Sequence, residues 1–184
     1  MKKINESIIC AGFGGQGIML LGKVLASAGM TRGLNVTWMP SYGAEVRGGT
    51  AHSMIRISSE PIASPVVFDT NAAIIMNGPS LDKFENKVTP EGLLILNTSM
   101  VSREPERNDI DIVAVPLTDE AIKLGNVRVA NMIAAGIFIA KKNIFDKKIL
   151  VNAVEKIAAG HKALVPINIK AVERGISFVE GEGK

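Results

Sequence analysis

Gly12-Phe13-Gly14-Gly15-Gln16-Gly17 follows the short apolar run Ile8-Ile9-Cys10-Ala11 and opens an apolar helix pattern at Ile18. Strand, glycine turn, helix is the start of an α/β unit, and the spacing fits G-x-G-x-x-G. The first glycine permits the tight turn. The second lets backbone approach a pyrophosphate, and the third lets helix pack on strand. The helix N-terminus then presents unbonded N–H groups to an anion. A nicotinamide-binding unit usually places an acid about 20 residues further on, to hold the ribose hydroxyls. Between Ile18 and Ala44 there is no Asp or Glu, which argues against an ordinary NAD dehydrogenase. Two readings of the turn stay open. Gly12, Gly14, Gly15, Gln16 and Gly17 cradle an anion or cofactor phosphate, or they let another backbone pack closely.

Outward from the turn, Ile18, Leu21, Leu25 and Ala28 recur at helical spacing, with Leu20 and Val24 widening the stripe. This predicts a helix over 17–31, closed by Gly33. Residues 34–39 read as a second strand stopped by Pro40, and strand, helix, strand of these lengths predicts a parallel crossover. The alternating stretch 51–58 predicts a strand with one solvated face. The continuous apolar runs within 72–76, 92–97 and 111–116 predict buried parallel strands. A short helix is expected over 79–84 and a surface loop over 102–109. Thr118 is expected to cap a helix ending at Gly125. Further helices are expected over 129–142, 146–159 and 168–179. The expectation is one α/β domain over 1–184, Rossmann-like and three-layered, with a mostly parallel sheet and helices on both faces.

The composition fits that class: 184 residues, 47% hydrophobic and 21% charged, with a net charge of only +3. Lys and Arg are dispersed and aromatic residues make up 4%, so neither a nucleic-acid stripe nor a base-stacking platform is expected. No apolar run reaches the roughly 18 to 20 residues of a membrane span. The single cysteine, Cys10, can form no intrachain disulfide, and Met1-Lys2-Lys3 leads into the first strand without a secretory h-region. A cytoplasmic setting is therefore expected. One thiol also cannot hold an iron–sulfur cluster.

A second glycine-rich segment, Ser41-Tyr42-Gly43-Ala44-Glu45-Val46-Arg47-Gly48-Gly49-Thr50, is expected at the same carboxyl edge of the sheet as the first. Glycines beside a guanidinium read as a preorganised surface, with Arg47 as a fork for carboxylate or phosphate. The plainer reading is a glycine hairpin with a solvated salt pair. His52 and His161 stand alone, without Asp or Cys at ligand spacing, so no metal site is expected. His52 reads either as a general base or as an ordinary buried ring. Asn131 reads as polar glue under the sheet edge or as a helix-start residue. There is no G-x-S-x-G, H-E-x-x-H, Walker lysine pattern or Gly-Asp-Gly segment, and no catalytic residue is expected in this chain.

Ala11-Gly12-Phe13-Gly14-Gly15-Gln16-Gly17-Ile18, then the segment from Ser41 to Ala51 and the run Asn131-Met132-Ile133-Ala134-Ala135-Gly136, resemble the γ subunits of 2-oxoacid:ferredoxin oxidoreductases. The similarity is to the 2-oxoglutarate and branched-chain types, and it covers nearly the whole chain. Ala44 stands where many members carry proline. The resemblance implies a complex that oxidatively decarboxylates a 2-oxoacid with coenzyme A, giving acyl-CoA and CO2, and passes electrons to ferredoxin. It implies α, β and ferredoxin-like δ partner subunits, which hold thiamine diphosphate and iron–sulfur clusters. It implies that Gly12, Gly14, Gly15, Gln16, Gly17 and Arg47 contact coenzyme A or a partner backbone. Tyr42, Gly43, Glu45, Arg47, Gly48, Gly49 and Thr50 would face the partners. The expected substrate is 2-oxoglutarate; 2-oxoisovalerate, pyruvate and indolepyruvate are alternatives. A free-standing NAD(P) oxidoreductase and a pure assembly module are readings from other classes.

Overall fold

Four consecutive residues of strand β1 (Asn5–Phe13), Ile8, Ile9, Cys10 and Ala11, are completely buried. Alternate side chains point to opposite faces of a strand, so this run needs a core on each side. Ile8 and Cys10 join one core, Ile9 and Ala11 the other. The computed structural model describes residues 3–41 and 50–181.

The remaining strands are β2 (Asn35–Ser41), β3 (Thr50–Ser58), β4 (Thr70–Ile75), β5 (Val88–Asn97) and β6 (Asp111–Val115), in the order β2-β3-β1-β4-β5-β6. β1, β4, β5 and β6 are parallel neighbours. The expected parallel crossover from β1 through the first helix to β2 is present, but its two strands are not neighbours in the sheet. β3 lies between β1 and β2 and runs antiparallel to both, from Phe13↔Thr50 and Ser41↔His52 to Ser58 opposite Asn5 and Asn35. The eight residues from 42 to 49 are too few for a parallel return, which needs a dozen or more. Pro40 does not stop β2 but sits within it, opposite Ser53. β2 is an edge strand, where a residue without an N–H is tolerated.

The helices are α1 (Ile18–Thr31), α2 (Gly78–Phe84), α3 (Leu117–Lys123), α4 (Ala130–Lys142), α5 (Lys147–Ile157) and α6 (Val165–Glu180). Helices cover both faces unequally. α1, α4, α5 and α6 fill one core with Leu117 and Ala121 of α3; the other is closed by α2 with Val67 and Val101. The chain leaves β1 toward β2 through α1 on one face and leaves β4 through α2 on the other. The carboxyl ends of β1 and β4 therefore flank a crevice of the kind where α/β sheets bind ligands.

Gly136 of α4 and Gly175 of α6 allow these helices to touch backbone to backbone. A Cβ on Gly136 would collide with the Val172 carbonyl oxygen, and one on Gly175 with that of Ile133. α3 is tied to α6 by Glu120, whose buried carboxylate accepts from Lys123 Nζ at 2.6 Å and from Arg174 Nε at 2.8 Å. Burial pushes the Glu120 carboxyl upward. The Lys123 and Arg174 hydrogen bonds and charges outweigh it and hold the group below its ordinary 4.5.

Two outcomes follow from this packing. Gly136→Ala is expected to destabilise the chain by about 1–3 kcal/mol, lowering Tm by several degrees. Gly160→Ala, where a Cβ meets open space, serves as the control. Equal melting temperatures for the two variants would contradict the close contact. A carboxyl with a depressed folded pKa stabilises fully above its unfolded value, and that stabilisation fades as pH falls below it. The stability gap between wild type and Glu120→Gln, measured by denaturant titration, should therefore narrow as pH drops below about 4.5. A gap independent of pH would contradict this.

Candidate functional site

The glycine turn is braced from inside. The Gln16 N–H donates to the Phe13 carbonyl at 3.2 Å, closing a four-residue turn, with Gly15 at φ 94° in the third position. That is where a type II turn requires a left-handed residue. The Gln16 side chain completes the closure. Its Oε1 accepts from the Phe13 N–H at 2.6 Å and its Nε2 donates to the Met76 carbonyl at 3.0 Å. A Cβ on Gly12 would lie 2.8 Å from Met76 Cβ and 2.9 Å from Ile18 Cδ1, so the strand end has room for glycine alone. Gly17, at φ 72°, precedes α1, and no side chain caps that helix. The first amides of α1 therefore face outward without a side-chain acceptor.

Gly17 is also held from the far end of the chain. Asn131, in the first turn of α4 and fully buried, donates from Nδ2 to the Gly17 carbonyl at 3.0 Å. The same oxygen accepts the Leu21 N–H at 2.9 Å. Asn131 is thus both a helix-start residue and polar glue, and it caps nothing in its own helix. Its Oδ1 has no hydrogen-bond partner.

The Met76 carbonyl accepts a second amide, from Asn97 Nδ2 at 3.3 Å. Asn97 ends β5, donates to Thr118 Oγ1 at 2.9 Å and accepts the Thr118 N–H at 3.2 Å. This corrects the expected Thr118 cap: α3 starts after Pro116 with no side-chain cap, and the Thr118 hydroxyl serves Asn97 instead. One polar belt so joins the carboxyl ends of β1, β4 and β5 to α3.

Three clefts meet at Gly15. One of about 200 Å³ is bordered by Gly17, Leu20, Arg128, Asn131 and Leu164. A second of about 220 Å³ is bordered by Gln16, Met76, Met100, Val127 and Arg128. The third, about 470 Å³ and more open, runs from Phe13 along Ile18 to Leu20. Among the described residues, no acidic side chain lines any of them. Arg128 is exposed and lies in a 3-10 turn, Val127–Val129, fixed by Asn126, whose side chain accepts the Arg128 N–H at 3.0 Å. Its guanidinium has no ion pair among the described residues. Leu20, Met100, Val127 and Leu164 are 38%, 44%, 52% and 42% exposed. Most of the exposed large apolar side chains among the described residues thus ring this one edge.

The turn residues Gly12, Gly14, Gly15, Gln16 and Gly17 come together as expected, with the Gln16 amide turned inward as a brace. Tyr42, Gly43, Glu45, Arg47, Gly48 and Gly49 lie outside the described residues. Ser41 and Thr50 bound that segment at the same sheet edge, with Thr50 opposite Phe13. His52 stacks its ring on Phe84 of α2 at 5.0 Å, on the face opposite α1. His161 is in a separate 3-10 segment, Ala159–Leu164. Burial pushes the Cys10 thiol far above its ordinary range, with a smaller opposing pull from the Ser53 hydroxyl. Among the described residues, no three His, Cys, Asp or Glu side chains converge on a metal site, and no helix is long and apolar enough to cross a membrane. Sequence reasoning missed Arg128 and the apolar rim, because only the fold brings residues 126–131 beside the turn.

Residues 7–178 match the pyruvate ferredoxin/flavodoxin oxidoreductase family. The ketoisovalerate oxidoreductase subunit VorA of Methanothermobacter thermautotrophicus is 32% identical over 177 residues, 94% of this chain and 37% of that protein. This chain thus spans little more than a third of that relative. The 2-oxoglutarate synthase subunit KorC of Methanocaldococcus jannaschii is 32% identical over 158 residues, 83% of each chain. The solved γ subunit of a keto/oxoacid ferredoxin oxidoreductase from Geobacter sulfurreducens is 26% identical. It superposes with a TM-score of 0.83 over 96% of this chain and 99% of its own. The chain belongs to the pyruvate ferredoxin/flavodoxin oxidoreductase family, as a domain of the γ-subunit type.

Proposed function

We propose that this chain is the γ subunit of a cytoplasmic CoA-acylating 2-oxoacid:ferredoxin oxidoreductase, with 2-oxoglutarate as substrate. The complex decarboxylates the 2-oxoacid, transfers the acyl group to coenzyme A and reduces ferredoxin. This chain contributes a coenzyme A contact and a docking edge, and no reacting group. The observation that carries the reading is the braced glycine turn, which leaves the N-terminus of α1 uncapped beside a guanidinium with no ion pair among the described residues. Backbone N–H groups and the helix dipole suit a pyrophosphate there. The apolar rim of Leu20, Met100, Val127 and Leu164 suits burial against a catalytic subunit. A single buried thiol does not fit an iron–sulfur cluster, and the family resemblance assigns the clusters and thiamine diphosphate to α, β and δ partners. The VorA relative, matched over 94% of this chain, supports a second reading with 2-oxoisovalerate as the substrate.

Two substitutions test these roles in the assembled complex. Gly15→Asp puts a carboxylate where the three clefts meet, while Gly15→Asn imposes the same backbone cost without the charge. The Asp variant is expected to raise the KM for coenzyme A roughly tenfold above the Asn variant, about 1.4 kcal/mol. The KM for the 2-oxoacid should not differ between them. Equal coenzyme A values would contradict the phosphate role. Val127→Glu is expected to abolish co-purification with the other subunits while the isolated chain keeps its Tm. Normal assembly of that variant would contradict the docking edge.

A further inference from the structure

Resting on the coenzyme A reading above, we propose that Arg128 is the specificity-determining residue for the phosphomonoester on the coenzyme's ribose. Coenzyme A carries two kinds of phosphate. Its pyrophosphate is a diester with one charge on each phosphorus, which outward backbone amides at a helix start can bind. Its 3′-phosphate is a monoester carrying nearly two charges, which calls for a cationic fork.

Among the described residues, Arg128 supplies the one cationic side chain that borders the clefts around the glycine turn, lining two of the three. Among the described residues its guanidinium has no partner, unlike that of most described arginines. Arg103, Arg107 and Arg174 pair with carboxylates, and Arg56 donates to the Ser64 carbonyl. Arg32 also has no partner among the described residues, but it lies at the opposite end of the sheet, beside Lys3 and Glu6. The backbone under Arg128 is fixed by the Asn126 hydrogen bond, and the adjacent α4 is buried from Ala130 to Ile139. A cation is therefore presented from a rigid base rather than from a free loop.

The same cleft carries the marks of a nucleoside subsite. Leu20 and Leu164 give it partly exposed apolar walls, and it is bordered by Asn131, a fully buried residue whose Oδ1 is unpartnered among the described residues. A buried acceptor without a donor is costly and is normally supplied by water or ligand. At about 200 Å³ the cleft is smaller than the ~300–1,000 Å³ of a whole ligand pocket, and so suits one end of an extended molecule.

The test uses the assembled complex and two coenzymes, coenzyme A and 3′-dephospho-coenzyme A. The measured quantity is the ratio of their kcat/KM values within each preparation, which is insensitive to partial loss of active complex. Wild type is expected to favour coenzyme A by at least tenfold. Arg128→Gln should bring that ratio close to one by weakening coenzyme A and leaving the dephospho form unchanged. Arg32→Gln should retain the wild-type ratio. A wild-type ratio in Arg128→Gln, or an equal loss for both coenzymes, overturns the assignment. Failure of the coenzyme A reading itself would show separately, as equal coenzyme A KM values for Gly15→Asp and Gly15→Asn.

Discussion

The Met76 carbonyl oxygen is the point on which this sheet edge depends. It accepts Gln16 from the glycine turn and Asn97 from the end of β5, while the Met76 N–H donates to the Ala11 carbonyl at 2.8 Å. Three strand ends are thereby fixed to one residue. Hydrogen bonds in such a shielded network reinforce one another, and an unpaired member is costly. With its inner side secured, the turn can leave its outer amides uncapped. The Asn131 bond to Gly17 does the same from α4 and sets the position of the neighbouring Arg128 turn.

The close helix pair explains how that second anchor is kept in place. Gly136 and Gly175 bring α4 and α6 into backbone contact, and Glu120 joins α6 to α3. α3 is itself seated by Asn97 through Thr118. The cleft beside Arg128 therefore stands on four elements locked to one another.

Much of this was legible in the sequence because local chemistry decided it. The turn, α1 with its stop at Gly33, and the buried strands follow from glycine placement and periodicity. The position of β3 was not legible. Alternation in 51–58 marks a strand but says nothing of its partner, and the strand inserts between β1 and β2 because its connection is short. Pro40 was misread because an edge strand accepts what a central strand rejects. Thr118 was misread because its hydroxyl has a tertiary partner, Asn97. The part Gln16 plays in closing the turn was not legible either; a side chain three residues from its own backbone partner is visible in sequence only when the turn type is known. Arg128 gave no local signal at all, since its meaning comes from lying beside residues more than a hundred positions away.

The central claim is that coenzyme A meets this chain at the uncapped start of α1 and the Arg128 turn. Hydrogen–deuterium exchange on the assembled complex, with and without coenzyme A, tests it most directly. The account predicts slowed exchange on coenzyme addition at the amides of residues 14–20 and 126–131. Protection confined to other subunits, with these two segments unchanged, would contradict it.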